Sequence, residues 1–320
     1  MPTKKSAKST KSQTAKKAAP KKAATKTTVH TVSSSKPKTT SASVAANATR
    51  NSTKQTRWSI GNNTINIVLA ELVGTFILTL VALLTASDVL PLLIGLTFAV
   101  IVMMVGIVSG AHVNPAVTFG LWAARKLRTV LVPFYWVAQL LGAMAAVVVL
   151  NAVAGTKLNL SFAHFNEFSW PIFWIELIGT GIFLFGFTTV LRHRELSATG
   201  KALGLGLALF VGLAVSSALY TPTRTAAINS IQNSDKARTQ QITAEDLPHS
   251  ILVSGATLNP AIALGSTETP ASSLLSGSAD NSGSTHYSRL GWEVILGTFI
   301  GAAAGANLTY VIDRRFKDAK

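Results

Sequence analysis

The stretch Ser109-Gly110-Ala111-His112-Val113-Asn114-Pro115-Ala116-Val117-Thr118-Phe119-Gly120 returns as Ser254-Gly255-Ala256-Thr257-Leu258-Asn259-Pro260-Ala261-Ile262-Ala263-Leu264-Gly265. Seven of the twelve positions are identical, including both Asn-Pro-Ala triplets. Asn is a good helix N-cap, and Pro suits the first helical position because its missing N–H would be unpaired there anyway. The apolar stretches these triplets open, about 114–124 and 259–265, are too short to cross a hydrocarbon core, which takes roughly 20 residues. The repeat therefore predicts two short helices that dip into a bilayer from opposite sides.

Outward from the triplets lie six longer apolar runs, at about 65–86, 90–108, 130–153, 172–191, 202–220 and 290–312. Each is of membrane-spanning length. The chain thus reads as an all-α membrane protein of six transmembrane helices plus two re-entrant half-helices. Ala70-Glu71-Leu72-Val73-Gly74-Thr75 is echoed by Ile175-Glu176-Leu177-Ile178-Gly179-Thr180, and Gln139-Leu140-Leu141-Gly142-Ala143 weakly by Val294-Ile295-Leu296-Gly297-Thr298. Each half (about 65–153 and about 170–312) reads span, span, half-helix, span. Three spans per half is an odd number, so the second copy inserts upside down, as an inverted repeat.

Charge divides the 320 residues differently. Residues 1–57 hold 14 of the 29 Lys and Arg and no acid, whereas 58–320 is nearly neutral, with 15 basic and 13 acidic residues. The Lys/Ala/Thr-rich tail cannot bury enough apolar surface to offset chain entropy and is expected to be disordered. Three roles suit it: a solvated leader, attraction to anionic lipid, or nucleic-acid binding through counterion release. No signal peptide is visible, and the absence of cysteine excludes disulfides and thiolate chemistry.

Six spans put both termini on one side, together with Arg125-Lys126-Arg128, Arg192-His193-Arg194, Lys201 and Arg314-Arg315-Lys317. The opposite side holds Lys157, Arg224, Lys236, Arg238 and Arg289, interspersed with acids. The positive-inside rule then makes the termini cytoplasmic in a multi-pass cell-membrane protein. Two polar insertions, about 221–250 and 266–288, fall on the outer side, where they either cap the pore mouth or are flexible decoration.

Two helix N-termini meeting at the midplane form an electropositive ring that bars protons and cations. Asn114 and Asn259 can each offer an amide N–H to a passing solute. Non-helical backbone at membrane depth is tolerated where it lines a polar cavity. The carbonyls of Gly110, Ala111, His112 and Val113, and of Gly255, Ala256, Thr257 and Leu258, are therefore expected to be extended and to line the path.

On the paired Asn-Pro-Ala segments and the paired Glu-Leu-x-Gly-Thr starts of spans one and four, residues 58–320 resemble the aquaporin (major intrinsic protein) family, most clearly over about 65–315. The resemblance implies an hourglass fold and a homotetramer in the lipid bilayer with one pore per subunit. Small neutral solutes are the implied cargo, and Glu71 and Glu176 are implied to brace the re-entrant loops. It also exposes departures. The family usually carries Arg directly after the second triplet, where this chain has Ile262. By the family's spacing the remaining filter positions fall on Ile94, Val211 and Ala256, a constriction with no charge and no side-chain donor. Such a ring implies passage of water and small uncharged solutes such as glycerol, urea, ammonia or peroxide. Arg224, in the first insertion, is a candidate to fold back and replace the missing charge.

Two other classes remain open. An inverted-repeat coupled transporter would use Glu71 or Glu176 as its titrating group, since intramembrane carboxylates are functional by default. A membrane-anchored polyanion binder would act through the tail. No catalytic constellation, metal site or cofactor motif is visible, so a non-enzyme is expected.

Overall fold

The computed structural model describes residues 63–84, 90–234, 242–243, 246–253, 255–271, 274 and 286–318, with side chains as far as 312. The tail at 1–57, and the expectation of disorder there, lies outside the described residues, as do parts of both insertions. In chain order the helices are α1 (Thr64–Leu84), α2 (Leu90–Ser109), α3 (Pro115–Ala123), α4 (Val132–Ala154), α5 (Trp170–Arg192), α6 (Ala198–Gln232), α7 (His249–Leu252), α8 (Pro260–Gly265) and α9 (Trp292–Asp318). Two short strands, β1 (Leu160–Ser161) and β2 (His286–Tyr287), pair in parallel. Among the described residues, α1, α2, α4, α5, α6 and α9 are long and apolar enough to cross a membrane.

Burial departs from that of a water-soluble bundle. Glu71, Thr75, Thr79, Gln139, Glu176, Thr180 and Ser216 are fully buried, while Leu69, Val100, Met104, Val153 and Leu207 are exposed and Ile107 is 96% exposed. In hydrocarbon an outward apolar side chain needs no cover, whereas polar groups must find partners inside.

The two halves pack alike. α1 lies against α4 and α2; α5 lies against α9 and α6; α2 and α6 join the halves. At that junction the backbones touch: a Cβ added at Gly95 would fall 2.7 Å from the carbonyl oxygen of Gly206. Small residues are what allow such close crossings in membranes. Gly142 fits against the Leu72 carbonyl, and Gly301 against that of Leu177. The second-half counterpart of Gly142 is therefore Gly301, one helical turn beyond Gly297. Phe98, Phe183 and Phe187 form the aromatic centre of the core, with ring centroids 5.8–6.3 Å apart.

The insertions differ from their expected form. Residues 221–232 are helical, not loop: α6 continues through Pro222. Proline withdraws one backbone donor. Hydroxyls flank the gap, with Thr223 Oγ1 donating to Leu219 O at 2.9 Å and Thr225 Oγ1 to Thr221 O at 3.0 Å. The described part of the second insertion is tied down rather than loose. Glu268 N donates to Tyr287 O, Thr269 N to Leu252 O, and Arg289 N to Ser266 O. β2 then clamps this segment to β1 in the α4–α5 connection, pairing Leu160 with His286 and Ser161 with Tyr287.

Candidate functional site

The two triplets meet. Asn114 caps α3, its Oδ1 accepting from Ala116 N at 2.8 Å, and Asn259 caps α8, its Oδ1 accepting from Ala261 N at 3.0 Å. Each then uses its amide on the other loop: Asn114 Nδ2 donates to Leu258 O at 2.8 Å, and Asn259 Nδ2 to Val113 O at 3.0 Å. Pro115 and Pro260 occupy the first helical turn, and Pro115, Ala116, Pro260 and Ala261 are buried. An amide nitrogen has two hydrogens. One on each Asn is committed to this reciprocal bridge.

The backbone before the first triplet is curled rather than extended, and before the second it turns at Leu258. Gly110, Ala111 and Val113 have φ of 85°, 48° and 41°, and Leu258 has 50°. Positive φ at a β-branched residue such as Val113 costs about 1–3 kcal/mol and persists only where surroundings over-determine it. The buried glutamates supply that constraint. Glu71 Oε1 accepts from Ser109 Oγ (2.6 Å) and His112 N (2.9 Å), and its Oε2 from Val113 N (2.7 Å) and Gln139 Nε2 (2.8 Å). Glu176 Oε1 accepts from Thr257 N (2.8 Å) and Thr257 Oγ1 (3.2 Å), and its Oε2 from Leu258 N (2.8 Å).

The glycine three residues after each glutamate shares its helix face. A methyl group at Gly74 would lie 2.5 Å from Val113 Cγ1, and one at Gly179 2.7 Å from Leu258 Cδ2. The repeated Glu-x-x-Gly thus holds a loop's backbone and admits its side chain. His112 is buried, its ring stacked on Tyr135 at 4.4 Å and its Nδ1 3.1 Å from Thr118 Oγ1.

The carbonyl ladder is only partly open. Val113 O and Leu258 O receive the two Asn amides, and Gly255 O receives Nη1 of Arg289. Beyond Asn259, at the end of the bundle holding the α4–α5 connection, lies a cavity of about 520 Å³ whose walls include Leu90, Ile94, Leu213, Tyr220, Arg224 and Ala256. Ile94 and Ala256 of the expected constriction are in its wall. Ile262 is buried within α8 and is not. Val211 is a correction: it is 44% exposed on the outside of the bundle, and α6 presents Leu213 instead. Residues two apart on a helix point about 200° apart, so a two-residue error in counting back across an insertion turned the wall outward.

The expectation of an uncharged mouth also needs correction. Arg224 reaches the cavity from the continued helix rather than from a folded-back loop. Arg289, 4% exposed, anchors to Gly255 and lies 3.6 Å from Glu176. No motif in the sequence marked Arg289, because it precedes α9 in an otherwise ordinary span start.

Nor did the sequence reveal the ties above the cavity. Glu268 bridges His164 Nδ1 at 2.9 Å and His249 Nε2 at 2.7 Å, with Glu293 Oε1 3.7 Å from His249 Nδ1. Burial works against a charge on His249, but the hydrogen bond and charge of Glu268 outweigh it and hold the imidazole above its ordinary value. Burial alone would raise Glu268; its bond to His249 and that residue's charge hold the carboxyl below the usual range. Among the described residues no group of His, Asp and Glu has the arrangement of a metal site.

The profile of the family "Major intrinsic protein" matches residues 89–233. Aquaporin Z of Photorhabdus laumondii is 31% identical over 192 residues, covering 51% of this chain and 83% of that protein. Aquaporin NIP2-1 of Zea mays is 36% identical over 138 residues, 41% of this chain and 46% of the maize protein. The chain therefore spans about half the length of the maize relative it matches. The structure of the aquaglyceroporin from Plasmodium falciparum aligns with a TM-score of 0.48 at 20% identity, covering 80% of this chain and 100% of that one. The chain belongs to the major intrinsic protein family and is a multi-pass membrane protein.

Proposed function

We propose that the protein is a passive channel for water and small uncharged solutes of the glycerol, urea, ammonia and peroxide class, with its pore centred on Asn114 and Asn259. The reciprocal bridge between those two residues carries this reading, because it brings the starts of α3 and α8 together inside the bundle. Their aligned backbone N–H groups make that level electropositive, a barrier to protons and cations. The second hydrogen of each Asn amide serves a passing solute.

Glu71 and Glu176 are engaged by donors from the loops, which supports bracing rather than a proton relay. The grouping of basic residues supports cytoplasmic termini in the cell membrane, and the family supports a homotetramer with one pore per subunit and no enzymatic activity. In proteoliposomes, stopped-flow light scattering should show water flux above that of bare lipid, and a graded solute series should show uncharged solutes entering. Flux no higher than lipid for every solute would refute the reading.

A further inference from the structure

Tyr220 and Arg224 stand four residues apart on α6, so they share one helix face, and both line the 520 Å³ cavity beyond Asn259. Tyr220 is 5% exposed, and its hydroxyl has no hydrogen-bond partner. The Nε of Arg224 is likewise enclosed and unpartnered. The other arginine nearby, Arg289, spends a donor on Gly255 O and faces Glu176 at 3.6 Å. Among the described residues no carboxylate pairs with Arg224. Ile94, Leu213 and Ala256 in the same wall carry neither a side-chain donor nor a charge, and Ser217 and Thr221 add hydroxyls without charge.

We propose that Tyr220 and Arg224 form the solute-selecting station of this mouth. Their hydroxyl and guanidinium donate to the oxygen of a neutral solute such as urea or glycerol, and the charge of Arg224, which no described carboxylate pairs, turns cations away. The inference rests on the channel reading and adds the residues that decide what enters. A solute passing an apolar wall loses water partners, and a buried acceptor left without a donor is disfavoured. Donors at this level therefore discriminate among solutes, and a fixed cation in a low-dielectric mouth discriminates by charge.

The test uses the full chain in liposomes at low ionic strength, with water, urea and methylammonium as probes. Arg224 is half-exposed and holds no other described residue in place, and Tyr220→Phe removes only an unpartnered oxygen, so both positions tolerate change without loss of fold. Arg224→Glu should raise methylammonium entry relative to water flux about tenfold or more. Tyr220→Phe should lower urea flux relative to water by about three- to tenfold, the worth of one hydrogen bond. Wild-type flux with all three probes unchanged in both variants would overturn the station alone. A wild type that conducts nothing would overturn the channel reading and this proposal together.

Discussion

Replacing Glu71 by Gln should loosen the first re-entrant loop by an amount that can be worked out from its contacts. The carboxylate meets four donors, two at each oxygen. An amide has one oxygen, so one pair must face an NH2 group. Ser109 can turn its hydroxyl to accept, or Gln139 can turn in its unpartnered Oε1. Either way one loop amide, His112 N or Val113 N, is left without an acceptor, at about 1–3 kcal/mol. The surviving bonds fall from charged to neutral, about 1 kcal/mol each, and easier burial of an amide offsets part of this. A net loss of about 2–4 kcal/mol corresponds to roughly 30- to 700-fold faster hydrogen exchange at His112 and Val113. Glu176→Gln should cost more. It strands a loop amide in the same way and also removes the carboxylate 3.6 Å from buried Arg289, and breaking a buried pair costs about 3–5 kcal/mol. Pairing it with Arg289→Leu should restore part of the loss. Exchange and unfolding in detergent that rank Glu71→Gln as equal to or worse than Glu176→Gln would refute this account of the bracing.

The corrected cavity wall is tested by a pair of tryptophans. Leu213→Trp should reduce water flux at least tenfold by filling the mouth, while Val211→Trp, on the exposed face, should leave flux within about twofold; the reverse result would restore the position read from sequence. The tie above the cavity should depend on pH on both sides. His249 sits above its ordinary 6.5, so its contribution is complete below that value and is lost as pH rises through the raised one. Glu268 sits below its ordinary 4.5, so its contribution is present above that value and is lost as pH falls through the lowered one. Protection of the Glu268 and Thr269 amides, corrected for intrinsic exchange, should peak between these limits, and His249→Asn should remove the alkaline limb. A flat profile would sink the assignment.

The elements legible in the sequence were those fixed by composition over many residues. A membrane-length apolar run has few alternatives, and an Asn-Pro-Ala repeated inside such a chain has fewer, so the six long helices and the starts of α3 and α8 could be read directly. What escaped depended on the register across a segment of unknown length or on contacts distant in sequence. Val211 follows from the family's spacing beside an insertion, and the cavity wall carries Leu213 instead. Pro222 lies inside α6, and the hydroxyls of Thr223 and Thr225 show how the flanking turns keep their carbonyls bonded. Arg289 lies 34 residues beyond Gly255 and 113 beyond Glu176 (289 minus 176), with no periodicity linking them.

The two halves also diverge at one informative place. Gln139 gives Glu71 its side-chain donor from α4, and the matching position in α9, set by Gly301 rather than Gly297, is Thr298. That hydroxyl is too short for the same task and donates to Ile295 O within its own helix. Arg289 then stands beside Glu176 where the first half has an amide. Once the second brace was charged, its cation lay next to the carbonyl of Gly255 at the cavity wall. The charge that the residue after the second triplet does not provide thus follows from how the second loop is held, and the mouth is asymmetric for that reason.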